Sequence, residues 1–149
     1  MVAVESSSPE ETERLAARLA AHLKAGDLVT VAGELGSGKT TFVRGAARAI
    51  GVESPVTSPT YTIGHRYRAD PDVSHLDLYR FEDLTEADWG DLEGYFEGAI
   101  VFVEWPERGA AYLPDARAAV RLRLLDAEHR LVEVESSEKP LEIAISDPC

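Results

Sequence analysis

Several residue types are missing from this sequence or nearly so. It contains neither asparagine nor glutamine, and only one cysteine and one methionine among 149 residues. Without side-chain amides the chain cannot orient a water with glutamine, read a base through an amide or carry an N-linked glycan. Because Cys149 is the sole cysteine, an intrachain disulfide and a cysteine-rich zinc site are also excluded.

Long apolar runs and an excess of basic charge are missing as well. The longest uninterrupted apolar run, residues 99–103, is far shorter than the roughly 20 residues that span a membrane. The first residues lack the basic start and apolar stretch of a signal peptide. Lys and Arg number 15 against 27 Asp and Glu, a net charge of −12, which disfavours contact with nucleic acid or anionic membrane. We therefore expect a cytoplasmic protein with no membrane association and no strong direct binding to nucleic acid.

Length and hydrophobic patterning predict a single α/β domain, residues 1–149, with a mixed sheet flanked by helices and a C-terminal β-hairpin. A hydrophobic fraction of 44% is enough for one core, and the chain is short for two. The sheet should be parallel where it carries the glycine-rich segment described next. The predicted elements are a helix capped by Ser8 and stopped by Gly26, a strand at 28–32, a helix at 40–50, strands at 62–67 and 73–79, an acidic helix at 84–95, a strand at 99–103, a hairpin of 118–125 and 130–135, and a last strand at 141–146.

A glycine-rich segment lies between the predicted strand at 28–32 and the helix at 40–50. The pattern G-x-x-x-x-G-K-[ST] is satisfied by Gly33, Glu34, Leu35, Gly36, Ser37, Gly38, Lys39 and Thr40. In such a loop the backbone N–H groups converge on phosphate oxygens, the lysine supplies a positive charge and the threonine hydroxyl can ligate magnesium. The segment therefore predicts a P-loop that binds a nucleoside triphosphate together with Mg²⁺.

Two acidic residues are the candidates for catalysis. Glu104 directly follows the apolar strand at 99–103, as does the acid that holds magnesium in many P-loop enzymes. Asp77 shares one face of its predicted strand with His75, where it could hold a metal-bound or an attacking water. The same alternation is also typical of an ordinary polar strand face. Trp105, next to Glu104, has two interpretations, as an edge of the core or as a reporter of the site.

The remaining charged features have simpler interpretations. The four histidines show no metal-ligand spacing, so we expect them to be surface or hydrogen-bonded residues. The acidic stretch 82–97 is interpreted as a solvated helix face or, alternatively, as a surface for a basic partner. We expect three arginines, Arg66, Arg80 and Arg108, to lie within reach of a bound nucleotide.

Motifs in a fixed order connect this chain to a known family. They are the glycine loop at 33–41, S-P-T-Y-T at 58–62, H-L-D-L-Y-R at 75–80 and V-E-W-P at 103–106. Together they resemble the TsaE (YjeE) family, small bacterial P-loop ATPases required for the N6-threonylcarbamoyladenosine (t6A) modification of tRNA at position 37. The resemblance covers nearly the whole chain, and it implies a P-loop NTPase-like fold.

The resemblance also implies roles for individual residues. It implies that Lys39, Thr40 and Thr41 bind the nucleotide. It also implies that Thr40 and Glu104 form the magnesium site. It makes Asp77 necessary for hydrolysis and places Arg130 near the nucleotide. Residues 58–62 resemble the family's switch-like loop. ATP and Mg²⁺ are the implied cofactors.

Members of that family act on a protein complex and do not transfer the threonylcarbamoyl group themselves. The resemblance implies that ATP hydrolysis resets the TsaB–TsaD pair between rounds. We expect the isolated chain to hydrolyse ATP slowly and a partner to activate it, because the cation over the transferring phosphoryl group is often supplied in trans.

Other nucleotide-binding classes fit less well. A Ras-like GTPase needs N-K-x-D and a glutamine, and neither can occur in this sequence. A small-molecule kinase needs a lid that carries several arginines, and no such segment is evident. A binding switch without turnover is a third alternative, which multiple-turnover phosphate release distinguishes.

Overall fold

A mixed seven-stranded sheet runs through the computed structural model, which describes residues 1–59 and 62–146. The strands are β1 (Val2–Ser6), β2 (Leu28–Gly33), β3 (Gly64–Tyr67), β4 (Asp72–Asp77), β5 (Ala99–Glu104), β6 (Ala118–Leu124) and β7 (Arg130–Glu135). The helices are α1 (Pro9–Ala20), α2 (Lys39–Ile50), α3 (Glu86–Leu92) and α4 (Lys139–Ala144), with 3₁₀ helices at Glu93–Phe96 and Pro106–Gly109.

The sheet has the strand order β1-β7-β6-β2-β5-β4-β3. β2 lies between β5 and β6 and runs parallel to both, and β4 runs parallel to β5. β6 and β7 form the predicted antiparallel hairpin. The mixed sheet, parallel around the glycine-rich loop, is therefore confirmed. This arrangement brings the carboxyl ends of β2, β5 and β4 to one edge, which is where ligands bind in open α/β sheets.

Apolar side chains cover both faces of the central strands. Leu19 of α1 and Phe42 of α2 belong to a core cluster with Phe102 of β5. Leu92 of α3 belongs to a second cluster with Val101, the neighbouring residue of β5. Alternate residues of β5 thus face opposite layers, which is why all of this strand is apolar until Glu104. Within the described residues no helix is long and apolar enough to cross a membrane.

The first helix begins as predicted but ends earlier. The Ser8 hydroxyl accepts a hydrogen bond from the Glu11 amide at 3.1 Å, as an N-cap does. The Glu11 carboxylate bonds to Ser7 and does not close a capping box on Ser8. The helix ends at Ala20 and not near Gly26. The edge strand β1 before this helix was missed by the sequence analysis.

The last element is a correction, because residues 141–146 do not form the predicted strand. Instead, α4 covers Lys139–Ala144, with Pro140 in its first turn, where a missing N–H costs nothing. Leu141 and Ile145 are buried, whereas Ile143 is 56% exposed. A strand would place all three on one face. The i, i+4 spacing of a helix buries only the two that pack against the core.

The remaining elements were predicted with shifted ends. The predicted helix at 84–95 is shorter in the structure, where α3 covers only its middle part. The 3₁₀ helix Glu93–Phe96 follows directly after α3. The hydroxyl of Thr85 caps α3 by accepting from the Asp88 amide at 3.1 Å. The predicted strands at 62–67 and 73–79 shrink to β3 and β4.

Helical packing of α4 predicts unequal effects of two substitutions on stability. Leu141→Ala should lower the free energy of unfolding by about 2–5 kcal/mol, because it empties a buried site. The matched control, Ile143→Ala, should change it by no more than about 0.5 kcal/mol. Denaturant unfolding of both variants measures the difference. Equal losses would instead support a strand.

Candidate active site

The glycine-rich loop joins β2 to α2 at the carboxyl edge of the sheet. At Gly33, where φ is 152°, an added Cβ would lie 2.5 Å from the Ser37 hydroxyl and 2.6 Å from the Leu122 carbonyl oxygen. No other residue fits that space. Gly38 caps α2 in the left-handed region, with φ of 101° and no side-chain hydrogen bond to the helix. The first amides of α2 are therefore open to an anion, which the helix dipole also attracts.

Lys39 is a buried lysine inside this loop. Its Nζ donates hydrogen bonds to the carbonyl oxygens of Gly33 at 2.8 Å and Glu34 at 2.9 Å. Burial lowers the pKa of Lys39, and the nearby charge of Glu104 acts in the opposite direction. The ammonium also lies 4.6 Å from the ring centroid of Trp105. The loop carbonyls thus hold the ammonium group beside the open helix terminus.

A cavity of about 510 Å³ opens beside the loop, a size typical of small-molecule sites. Its lining residues are Leu35, Gly36, Gly38, Lys39, Thr40, Thr41, Ser58, Pro59, Asp77, Tyr79, Arg80, Glu104 and Trp105. Most residues that the sequence analysis assigned to the site therefore face one cavity. Gly33, Glu34 and Ser37 shape the loop without lining the cavity.

Thr40 and Glu104 meet although 64 positions separate them. The Thr40 hydroxyl donates a hydrogen bond to Glu104 Oε2 at 3.0 Å. They meet because β2 and β5 are parallel neighbours, so the helix after β2 starts beside the end of β5. A hydroxyl and a carboxylate suit Mg²⁺, which commonly takes one or two protein oxygens besides substrate phosphates. The described residues hold no cluster of three or more His, Cys, Asp or Glu for a metal, so this pair fits Mg²⁺ only together with a nucleotide.

Asp77 lies at the end of β4, directly opposite Glu104 in the parallel ladder. Its carboxylate accepts hydrogen bonds from the Tyr79 amide at 3.0 Å and from the Ser58 hydroxyl at 3.3 Å. Burial raises the pKa of Asp77, and the negative charge of Glu104 acts in the same direction. The two hydrogen bonds act in the opposite direction. They also fix the orientation of the carboxylate at the cavity wall.

The arginines occupy different places. Arg130 donates to the Gly36 carbonyl at 3.2 Å and to the Asp126 carbonyl at 3.1 Å, so it braces the loop from the β6–β7 turn and does not line the cavity. Arg66 pairs with Asp72 on the edge strands. Arg108 donates to the carbonyl oxygens of Tyr79 and Phe81.

Arg80 differs from these arginines. It is exposed and lines the cavity, and it makes no hydrogen bond or ion pair within residues 1–59 and 62–146. Of the three arginines predicted to be in reach of a nucleotide, it alone lines the cavity. It is therefore the one whose guanidinium the structure leaves available there.

Trp105 forms part of the cavity wall in a strained conformation. Its φ of 56° lies in the left-handed region, which is rare for a bulky residue and is often found at functional sites. The indole packs on the Tyr79 ring with centroids 5.0 Å apart. Trp105 also packs against the core cluster that contains Val101, so its position agrees with both interpretations from the sequence, an edge of the core and a residue beside the site.

His75 is the residue at the site to which the sequence analysis gave no role. It is fully buried, and its Nε2 lies 2.5 Å from Glu104 Oε2. The sequence did contain a signal for this position. In a strand, His75 and Asp77 lie on one face and Leu76 lies on the other, so the pattern predicted the face but not the partner of His75. The expectation of a hydrogen-bonded histidine agrees with this contact, and with those of His65 to Tyr67 and His129 to Asp126.

The predicted switch-like loop at 58–62 is only partly described. Thr60 and Tyr61 lie outside the described residues, as does Cys149. The segment before them is tied down, because the Val56 carbonyl accepts from Arg44 at 3.2 Å and the Thr57 amide donates to the Tyr67 hydroxyl at 3.4 Å. Ser58 then reaches Asp77, so this segment joins α2 to the acidic wall of the cavity.

Comparisons with known proteins agree with this arrangement. A family model described as "Threonylcarbamoyl adenosine biosynthesis protein TsaE" matches residues 6–132. The tRNA threonylcarbamoyladenosine biosynthesis protein TsaE of Mycobacterium tuberculosis is 41% identical over 123 residues, which cover 76% of this chain and 73% of that protein. The protein of the same name from Aquifex aeolicus is 37% identical over 130 residues, with 85% and 90% covered. The crystal structure of Bacillus subtilis YdiB matches with a TM-score of 0.78 and 28% identity, over 97% of this chain and 91% of that one.

The position of Lys39 predicts a role in holding phosphate. Lys39→Ala should weaken ATP binding by about 10- to 100-fold, as expected when a charge-assisted contact of about 1.5–3 kcal/mol is lost. Isothermal titration calorimetry measures the change. Lys139→Ala removes the same charge at the exposed start of α4 and should leave the affinity unchanged. Equal affinity in the Lys39 variant would contradict a phosphate site in this loop.

Proposed function

The chain belongs to the TsaE family, and from this premise we propose that residues 1–149 form one magnesium-dependent P-loop ATPase domain. We further propose that it serves the t6A modification of tRNA at position 37 in the cytoplasm. The relatives named above are tRNA threonylcarbamoyladenosine biosynthesis proteins. The observation that carries the ATPase is the hydrogen bond from Thr40 to Glu104, because it joins the phosphate loop to an acid of the neighbouring strand.

The loop and the start of α2 hold the nucleotide phosphates in this proposal. The amides of Gly36 and Gly38 and of the first turn of α2 donate to phosphate oxygens, which the geometry of the loop supports. Lys39 exchanges its loop carbonyls for a phosphate oxygen, and Thr41 lines the same cavity. Thr40 and Glu104 hold Mg²⁺, which when bound offsets the negative charge that develops on the phosphoryl oxygens.

Asp77 holds a water for hydrolysis in this proposal. Its carboxylate faces the cavity beside Glu104, while the Tyr79 amide and the Ser58 hydroxyl keep it in place. A carboxylate can accept about four hydrogen bonds, so capacity remains for a water. Because the pKa of Asp77 is raised by burial, the carboxylate is also a stronger base than an exposed aspartate.

Separate roles for the two acids predict two different defects. Glu104→Ala should reduce the magnesium dependence of ATP binding, because a metal ligand is lost. Asp77→Asn should bind ATP and Mg²⁺ normally and hydrolyse ATP poorly, because the amide keeps the shape but loses the base. Binding is followed by calorimetry and hydrolysis by phosphate release under multiple turnover.

Trp105 fluorescence provides an independent readout of the same experiment. The other tryptophan, Trp89, packs against Phe96 and Tyr112 away from the cavity, so a Trp89→Phe background isolates the signal of Trp105. Emission should change when ATP and Mg²⁺ are added, and less so in Glu104→Ala. A silent Trp105, or identical defects in both acid variants, would contradict the assignment.

We place the action of the ATPase on the TsaB–TsaD complex, with no transfer of the threonylcarbamoyl group by this chain. The sequence has no glutamine to orient water, and its net charge of −12 suits a basic partner surface. Of the three arginines predicted in reach, Arg66 and Arg108 are engaged in other contacts, and Arg80 alone lines the cavity. These features support hydrolysis that is slow alone and completed by a partner.

Partner dependence predicts the response of phosphate release to added protein and salt. The isolated chain should turn over slowly, and addition of the TsaB–TsaD pair should accelerate it. An arginine supplied in trans contributes about 10³–10⁵ in rate in other enzymes, so even part of this effect is measurable. The acceleration should weaken as salt screens the attraction.

Two controls define this experiment. Lys39→Ala should abolish the stimulated phosphate release, which excludes a contaminating ATPase in the partner preparation. Rapid hydrolysis by the chain alone, unchanged by TsaB–TsaD, would contradict the partner-dependent function. Binding of the pair with no phosphate release would favour the binding switch.

A further inference from the structure

His75 makes a buried contact with the acid of the proposed metal site. It has no exposed surface, and its Nε2 lies 2.5 Å from Glu104 Oε2. Because a carboxylate oxygen accepts hydrogen bonds, we assign Nε2–H as the donor. Its other ring nitrogen, Nδ1, is buried without a hydrogen-bond partner among the described residues. Burying an imidazole with one nitrogen unpaired costs stability, whereas an apolar residue could fill the same space. The contact with Glu104 is the compensating feature.

Both hydrogen bonds to the Glu104 carboxylate end on the same oxygen. Oε2 accepts from Thr40 at 3.0 Å and from His75 at 2.5 Å. Within the part of the chain that the structure describes, Oε1 accepts no hydrogen bond, because both side-chain donors contact Oε2. Glu104 lines the cavity. The two donors thus fix the carboxylate by one oxygen and leave the other for a ligand.

The sheet register explains how a strand residue reaches the acid. β4 and β5 are parallel, with Asp77 opposite Glu104 and His75 two positions earlier on the same face of β4. From there the imidazole contacts Glu104 from the strand side, while Thr40 contacts it from the loop side. Glu104 is therefore held between two elements, and only one of them belongs to the phosphate loop.

We propose that His75 is a positioning residue that orients Glu104 for Mg²⁺. This inference rests on the proposed function. Thr40 has one hydroxyl for two tasks, since it binds the metal and contacts Glu104. His75 fixes the carboxylate independently of that hydroxyl, and Oε1, which neither residue contacts, would be the oxygen that binds Mg²⁺. Hydrogen-bond partners of metal-binding carboxylates commonly have this role.

The test separates metal dependence from stability. His75→Leu replaces the imidazole by an apolar side chain of similar size. It should raise the Mg²⁺ concentration at half-maximal enhancement of ATP binding by about 10- to 100-fold. ATP binding in EDTA should be unchanged. His75→Gln, whose amide can donate to Glu104, should restore most of the magnesium dependence.

Ser74→Ala is the matched control on the same strand. Ser74 is also fully buried, and its hydroxyl bonds to the Tyr95 carbonyl at 2.7 Å on the opposite face. This variant should lower the melting temperature without changing the Mg²⁺ midpoint. An unchanged midpoint in His75→Leu, or an equal change in Ser74→Ala, would overturn the role of His75.

If the His75→Leu variant does not fold, a spectroscopic measurement on the unmodified chain still tests the proposal. Long-range ¹H–¹⁵N spectra should show hydrogen on Nε2 of His75, and Glu104→Gln should shift that resonance. Hydrogen on Nδ1 alone would overturn the proposal, because Nε2 could not donate. If the wild-type chain bound no ATP, the proposed function would fail. If it bound ATP and His75→Leu had the same Mg²⁺ midpoint, only the role of His75 would fail.

Discussion

The hydrogen bond between Thr40 and Glu104 is the contact on which the arrangement of the site depends. It joins two residues 64 positions apart in the chain, and it can form only because β2 and β5 are adjacent and parallel. An antiparallel β5 would place Glu104 at the opposite edge of the sheet. The topology therefore has a direct chemical result, since it brings the carboxylate of one strand to the first helical turn after another.

The sequence predicted those parts of the site whose residues are contiguous. The loop from Gly33 to Thr40 carries its own signature, because its glycines, lysine and hydroxyl must follow one another to surround a phosphate. Glu104 was found by its place after an apolar strand. The role of His75 could not be found in this way, because alternation along β4 predicts which face it occupies and not which side chain it meets there. That contact depends on the register between β4 and β5.

The segments that were missed or wrongly predicted have short patterns that fit more than one structure. Leu141, Ile143 and Ile145 alternate as a strand does, yet Leu141 and Ile145 are equally spaced for one helix face. Packing against the core decides between the strand and the helix, and it buries Leu141 and Ile145. β1 is an edge strand that pairs with β7, and its alternation of half-buried Val2 and Val4 with exposed Ala3 and Glu5 extends over only five residues. β1 and α4 thus take their structure from contacts distant in sequence.

The local charges explain how so acidic a chain can hold a polyanion in the function we propose. Glu104 and Asp77 face the cavity and would repel phosphate, as would the net charge of −12. Against them stand the buried ammonium of Lys39 and the open amides of α2, which act at short range where solvent screens little. A divalent cation between the acids and the phosphates reverses the sign of the nearest interaction. In this proposal the two carboxylates then favour binding, and the charges of the cavity support a dependence on magnesium.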